Sequence, residues 1–92
     1  MFSMLRFFSG DQRTKREMTR EADAALTKAA IKESGPISRF RLHLALWEEF
    51  GCNWSGRRLT RAIDRLKREA HIVEYNEGGL PKYELAYRHT RR

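Results

Sequence analysis

Ser55-Gly-Arg-Arg-Leu-Thr-Arg-Ala-Ile-Asp-Arg-Leu-Lys-Arg-Glu69 is the stretch on which the reading of this 92-residue chain turns. Leu59, Ala62, Ile63, Leu66 and Ala70 fall at i, i+3, i+4, i+7 and i+11, which is one face of an α-helix. The other side carries Arg57, Arg61, Asp64 and Arg68, flanked by Arg58 and Arg65. Ser55 stands where an N-cap hydroxyl would accept a hydrogen bond from the first turn.

Helical patterns precede this segment. A first helix is expected from about Thr14 to Glu33, with Thr14 and Glu17 at capping-box spacing and Met18, Ala22, Ala25, Leu26 and Ala29 as its buried stripe. Gly35-Pro36 stops it. Ile37 then stands between that proline and a capping Ser38, a spot where one or two extended residues could pair with a sheet. A second helix is expected over Arg39 to Phe50, with a broad apolar stripe that includes Phe40, Leu42, Leu46 and Trp47, and with Gly51 as its C′ residue. The linker Gly51-Cys52-Asn53-Trp54 is short enough to force a sharp angle between the second and third helices. Trp47 and Trp54 are expected as core and turn anchors.

A hairpin pattern follows. His71-Ile-Val-Glu-Tyr75 and Lys82-Tyr-Glu-Leu-Ala-Tyr87 read as strands, and Tyr83, Leu85 and Tyr87 alternate as a half-buried strand does. The loop between them, residues 76–81, holds Gly78-Gly79, which can take positive φ. Two strands alone are unstable, so they must pack on the helices.

Composition narrows the function. The net charge is +7, and Arg outnumbers Lys by fourteen to five. Six basic residues and one acid lie between Ser55 and Arg68, whereas residues 1–35 hold seven bases and five acids. Arginine suits bidentate contact with phosphate and guanine, and a helix with one buried stripe and five outward arginines fits the major groove of duplex DNA. Cys52 is the single cysteine, so no intramolecular disulfide can form and an intracellular setting, cytoplasmic (nucleoid-associated) or nuclear, is expected. No apolar run suggests a membrane partner.

The order of helix, extended residue, helix, tight turn, basic helix and Gly-Gly hairpin resembles the winged helix-turn-helix family of DNA-binding domains. The resemblance covers about Thr19 to Tyr87 and rests on Gly35-Pro36-Ile37-Ser38, on Leu59, Ile63 and Leu66, and on Ile72-Val73 leading to the glycines and Tyr83-Glu84-Leu85. It implies a mainly α, α+β fold of three helices with a C-terminal β-hairpin wing over residues 14–87, between an N-terminal hydrophobic arm (1–13) and a basic tail (88–92). Many members have Gly where the third helix runs into the wing; here Ala70-His71 stand there, with His71 a candidate for the left-handed conformation. The resemblance further implies that helix 55–69 reads DNA through Ser55, Arg57, Arg58, Thr60, Arg61, Asp64 and Arg65. Arg57, Arg58 and Arg61 are expected at base edges, and Arg65, Lys67 and Arg68 at phosphates or solvent. Asp64 is expected to pair with Arg61 or Arg68, the other reading being acceptance from a cytosine amino group. Lys82 would meet a phosphate from the wing.

The expected function is a small, sequence-specific transcriptional regulator of double-stranded DNA, of the bare kind found in phages and mobile elements. Two alternatives remain at this point: a winged-helix module that binds or inhibits an acidic protein, and a non-specific nucleic-acid or RNA binder. Phe2, Leu5, Phe7 and Phe8 are apolar enough to dock, either on the chain's own first helix or in a homodimer. His43, His71 and His89 share no ligand or catalytic spacing with Cys52 or a carboxylate, so no metal, cofactor or enzymatic chemistry is expected.

Overall fold

The computed structural model describes residues 11–87, with side chains from residue 15 onward. In order the elements are α1 (Asp11–Ser34), β1 (Ile37–Ser38), α2 (Arg39–Phe50), α3 (Gly56–Arg68), β2 (Ile72–Glu77) and β3 (Leu80–Leu85). Among the described residues the architecture is mainly helical α+β: three helices against an antiparallel three-stranded sheet of order β1-β3-β2.

Local chemistry accounts for the boundaries. Ser38 and Ser55 take extended backbone, and their hydroxyls accept from the amides of Arg41 and Arg58 at the starts of α2 and α3. Gly51 closes α2 at φ 67°, with its amide on Trp47 O and the next amide, of Cys52, on Leu46 O. The glycine at 35 answers a different need. A Cβ there would lie 2.5 Å from Ile31 O, so only Gly lets the chain leave α1 and enter β1 this tightly.

Ile37 does pair with the sheet: it stands opposite Tyr83, and Ser38 opposite Lys82. This makes β3 the central strand, so Tyr83, Glu84 and Leu85 are all buried although side chains alternate between faces. The hairpin is tighter than the sequence suggested. Strand pairing runs out to Glu77 and Leu80, leaving only Gly78 and Gly79, at φ 63° and 86°, as a two-residue turn. Pro81 pairs with Asn76 beyond the end of β1, where one side of its backbone has no ladder partner to supply. The strand stops at Leu85, and Tyr87 is exposed.

The core joins Ile31 of α1, Leu42 and Leu46 of α2, Leu59, Ile63 and Leu66 of α3, and Ile72 and Leu85 of the sheet. Three expectations fail here for physical reasons. The helix is already under way at Asp11, so Thr14 lies inside it and is not its cap. Its buried face is also rotated from the expected stripe: Asp23, Ala24, Thr27, Ala30 and Ile31 face inward, while Met18, Ala22 and Ala25 are exposed. Polar groups can occupy that face because each is satisfied: Thr27 Oγ1 donates to Asp23 O at 2.8 Å, and Asp23 is paired across to α3. Finally, α3 stops at Arg68, and Ala70, expected on its apolar face, is exposed with φ 59°. The left-handed residue before β2 is therefore Ala70 and not His71. The turn is closed by the amides of Ala70 and His71 on Lys67 O and Leu66 O.

Candidate nucleic-acid interface

The two faces of α3 have opposite fates. Leu59, Ala62, Ile63 and Leu66 are buried as the spacing predicts, and this holds Arg57, Arg61, Asp64 and Arg68 outward in one exposed row. Residues 15–22 of α1 are all exposed, so the first half of that helix stands clear of the core beside α3. Between the two helices lies an open groove of about 1470 Å³. Nine basic and four acidic side chains line it, with Lys15, Arg16 and Arg20 on the α1 side and Arg57, Arg61 and Arg68 on the α3 side.

At the base of this groove Asp23 grips Arg58. Arg58 Nε and Nη2 donate to Asp23 Oδ2 and Oδ1 at 2.7 and 2.8 Å, a bidentate fork between α3 and α1. The guanidinium also lies 4.9 Å from the centroid of the buried Trp54 ring. The hydrogen bond to Asp23 raises the Arg58 pKa above the ordinary arginine value, opposed by partial desolvation. Trp54 is itself held from behind, with His43 Nε2 2.8 Å from its carbonyl oxygen.

The sequence-derived site residues divide into three groups. Arg57, Arg61, Asp64 and Arg68 are exposed, and their side chains make no ion pair or hydrogen bond among the described residues. The expected pairing of Asp64 with Arg61 or Arg68 is therefore absent. A second group is engaged within the protein. Arg58 holds Asp23; Arg65 contacts Glu69 at 3.3 Å and Glu21 at 3.8 Å; Lys67 reaches Glu74 at 3.3 Å. Thr60 Oγ1 donates to Gly56 O at 2.8 Å and accepts from Arg39, while the Ser55 hydroxyl caps the helix. The third group lies away from the row: Lys82, on the hairpin, pairs with Glu77 at 3.1 Å. Phe2, Leu5, Phe7 and Phe8 lie outside the described residues.

Sequence reasoning missed the α1 side of the groove. Arg16, Arg20, Asp23 and Thr27 recur at i, i+4, i+7 and i+11, so they share a face, and the first three of them line the groove beside α3. The signal was present in the polar residues of α1 rather than the apolar ones. Among the described residues no three of His, Cys, Asp and Glu converge as a metal site, and no helix is long and apolar enough to cross a membrane. No family model matches the chain, and neither a curated protein nor a solved structure matches it.

Proposed function

We propose that this chain is a winged-helix protein that binds double-stranded DNA sequence-specifically through α3 and acts as a small transcriptional regulator. The observation that carries the proposal is the division of labour among the α3 cations. Glu21, Asp23, Glu69 and Glu74 engage Arg58, Arg65 and Lys67, while Arg57, Arg61 and Arg68 have no ion-pair partner among the described residues and lie along one exposed row. A solvated surface without a partner gains little from leaving three arginines uncompensated side by side. A polyanion does gain, because each phosphate neutralised releases counterions and each guanine edge offers two acceptors.

The element order supports the winged-helix reading: β1 pairs into the sheet between α1 and α2, and a Gly-Gly hairpin follows α3. In this reading Arg57 and Arg61, in the N-terminal half of α3, meet base edges, and Arg68 meets a phosphate. Asp64 has no partner among the described residues and, in this reading, accepts from a cytosine amino group. Arg58 positions the helix through Asp23 and Trp54 and reaches no base. Lys15, Arg16 and Arg20 line the far side of the groove, where they neutralise the adjoining strand's phosphates.

Fluorescence anisotropy with a random duplex pool, the matching single strands and an RNA duplex tests the proposal. It predicts that the duplex DNA pool binds most tightly, and that selection from the pool enriches a defined site. Equal affinity for all three would leave a non-specific polyanion binder. Absence of binding to any of them at low salt would overturn the reading.

A further inference from the structure

Phe40 and Trp47 belong to the second helix, yet 76% and 62% of their surfaces are exposed. Leu44 lies between them and is half-buried. The three recur at i, i+4 and i+7, so they form one stripe along the solvent side of α2, opposite the buried Leu42 and Leu46. Two large aromatic side chains one helical face apart are a poor surface for a monomer, since such groups dominate interface energetics once covered. Arg41 and Glu48 flank the stripe on a single side, and neither side chain makes an ion pair among the described residues.

We infer that this face of α2 is a homodimer interface, in which two copies of the chain pack α2 against α2 antiparallel about a two-fold axis. The sequence of the stripe is self-complementary in that arrangement only. A two-fold axis at Leu44 brings Phe40 of one copy over Trp47 of the other, twice, and sets the two leucines together at the centre. The same operation places each flank against the identical flank of the partner with its direction reversed. Arg41 then faces Glu48 of the other copy, and Glu48 faces Arg41, so the two unpaired charges of each copy become two interchain pairs. A parallel two-fold pairing would instead stack Phe40 on Phe40 and Trp47 on Trp47, and would leave the Arg41 and Glu48 flanks of the two copies on opposite sides of the seam, where their charges do not meet.

The area suits this role. Each aromatic side chain can bury roughly 150–250 Å², so two per copy cover about half of the ~800 Å² a standard interface takes from each partner. They would form its apolar centre, with the Arg41–Glu48 pairs on the rim. The interface uses α2 and leaves the α3 row uncovered, so it stands or falls independently of nucleic-acid binding.

Sedimentation equilibrium of the full chain tests the inference. A concentration-dependent dimer is expected in the micromolar range, and Trp47→Ala with Phe40→Ala should render it monomeric while circular dichroism stays unchanged, because both side chains are exposed in the monomer. Charge exchange then tests the register. Arg41→Glu and Glu48→Arg should each weaken the dimer about tenfold, each change acting at two pairs, and the double exchange should restore it. A monomer at hundreds of micromolar would overturn the inference, as would a dimer indifferent to Phe40 and Trp47. A dimer weakened further by the double exchange would exclude the antiparallel arrangement and so overturn it too. Dimerisation lost on deleting residues 1–10 but unaffected by the α2 substitutions would assign self-association to Phe2, Leu5, Phe7 and Phe8 and likewise contradict it.

Discussion

Asp23 and Arg58 are 35 positions apart in sequence, and they form a bidentate ion pair that ties the middle of α1 to the first turn of α3. The Asp23 side chain is largely buried, 11% exposed, whereas the Arg58 side chain, whose guanidinium lies over the Trp54 ring, is 43% exposed. The pair joins the start of α3 to α1 beside Arg57 and Arg61, while the buried Leu59, Ala62, Ile63 and Leu66 keep that row outward. Its role is positioning.

That role has a measurable signature. Asp23→Ala should destabilise the fold by about 1–3 kcal/mol, between the values for exposed and fully buried pairs, because it leaves the Arg58 charge unmatched at a half-buried site. Arg58→Ala should cost a similar amount, and the double variant less than the sum. Urea denaturation of the four proteins measures the cycle. Additive losses would mean that the fork contributes nothing beyond packing.

Ala70 occupies a conformation that an L-residue adopts at a cost of about 1–2 kcal/mol. Ala70→Gly should relieve it. The gain is offset in part by the extra freedom of glycine in the unfolded chain, so a net stabilisation of about 0.5–1 kcal/mol is expected, read as a rise in urea midpoint. A lower midpoint would show that the methyl group contributes packing the exposed position does not suggest.

Tyr83 contributes to the loss of stability at alkaline pH. Burial raises its phenol pKa above the ordinary value of 10.0; the Glu74 carboxylate acts in the same direction, and Arg39 opposes it. Above pH 10.0 the unfolded chain has lost the phenolic proton while the folded chain still holds it, so unfolding releases a proton. The Tyr83 contribution is complete below that pH and is lost as pH rises through the folded value. The urea midpoint should therefore fall above about pH 10, and Tyr83→Phe should flatten the fall. An identical pH dependence in that variant would contradict the assignment.

Much of this structure could be read in the sequence where a residue has one physical use. Ser38, Gly51 and Ser55 cap their helices as expected because a cap depends on neighbours within a turn. Leu59, Ala62, Ile63 and Leu66 read as core because the opposite face of α3 is so strongly charged, and all four are buried. The phase of α1 was not readable in the same way. Its alanines occur on several faces and define no stripe, and the inward face carries Asp23 and Thr27, whose partners lie elsewhere in the fold or on the backbone. Phe40 and Trp47, which the apolar pattern of α2 places in the core, are exposed for a related reason. Hydrophobicity marks a side chain that needs covering, and whether the cover comes from the same chain depends on tertiary packing. For the candidate site, the sequence singled out the α3 arginines as a group. It could not separate Arg58 from Arg57 and Arg61, because that distinction rests on one carboxylate in another helix.

Arg57, Arg61 and Arg68, which have no partner among the described residues, are proposed as the contact face for duplex DNA. The salt dependence of duplex affinity tests it most directly, measured by anisotropy for the wild-type chain and for the triple variant Arg57→Ala, Arg61→Ala, Arg68→Ala. All three side chains are exposed, so the variant should keep its fold. If each contacts DNA, the triple variant should bind duplex at least 100-fold more weakly, and phosphate contacts among the three should flatten the log affinity–log salt slope by about one unit each. A triple variant that binds duplex with the wild-type affinity and slope would show that this row of α3 does not contact DNA.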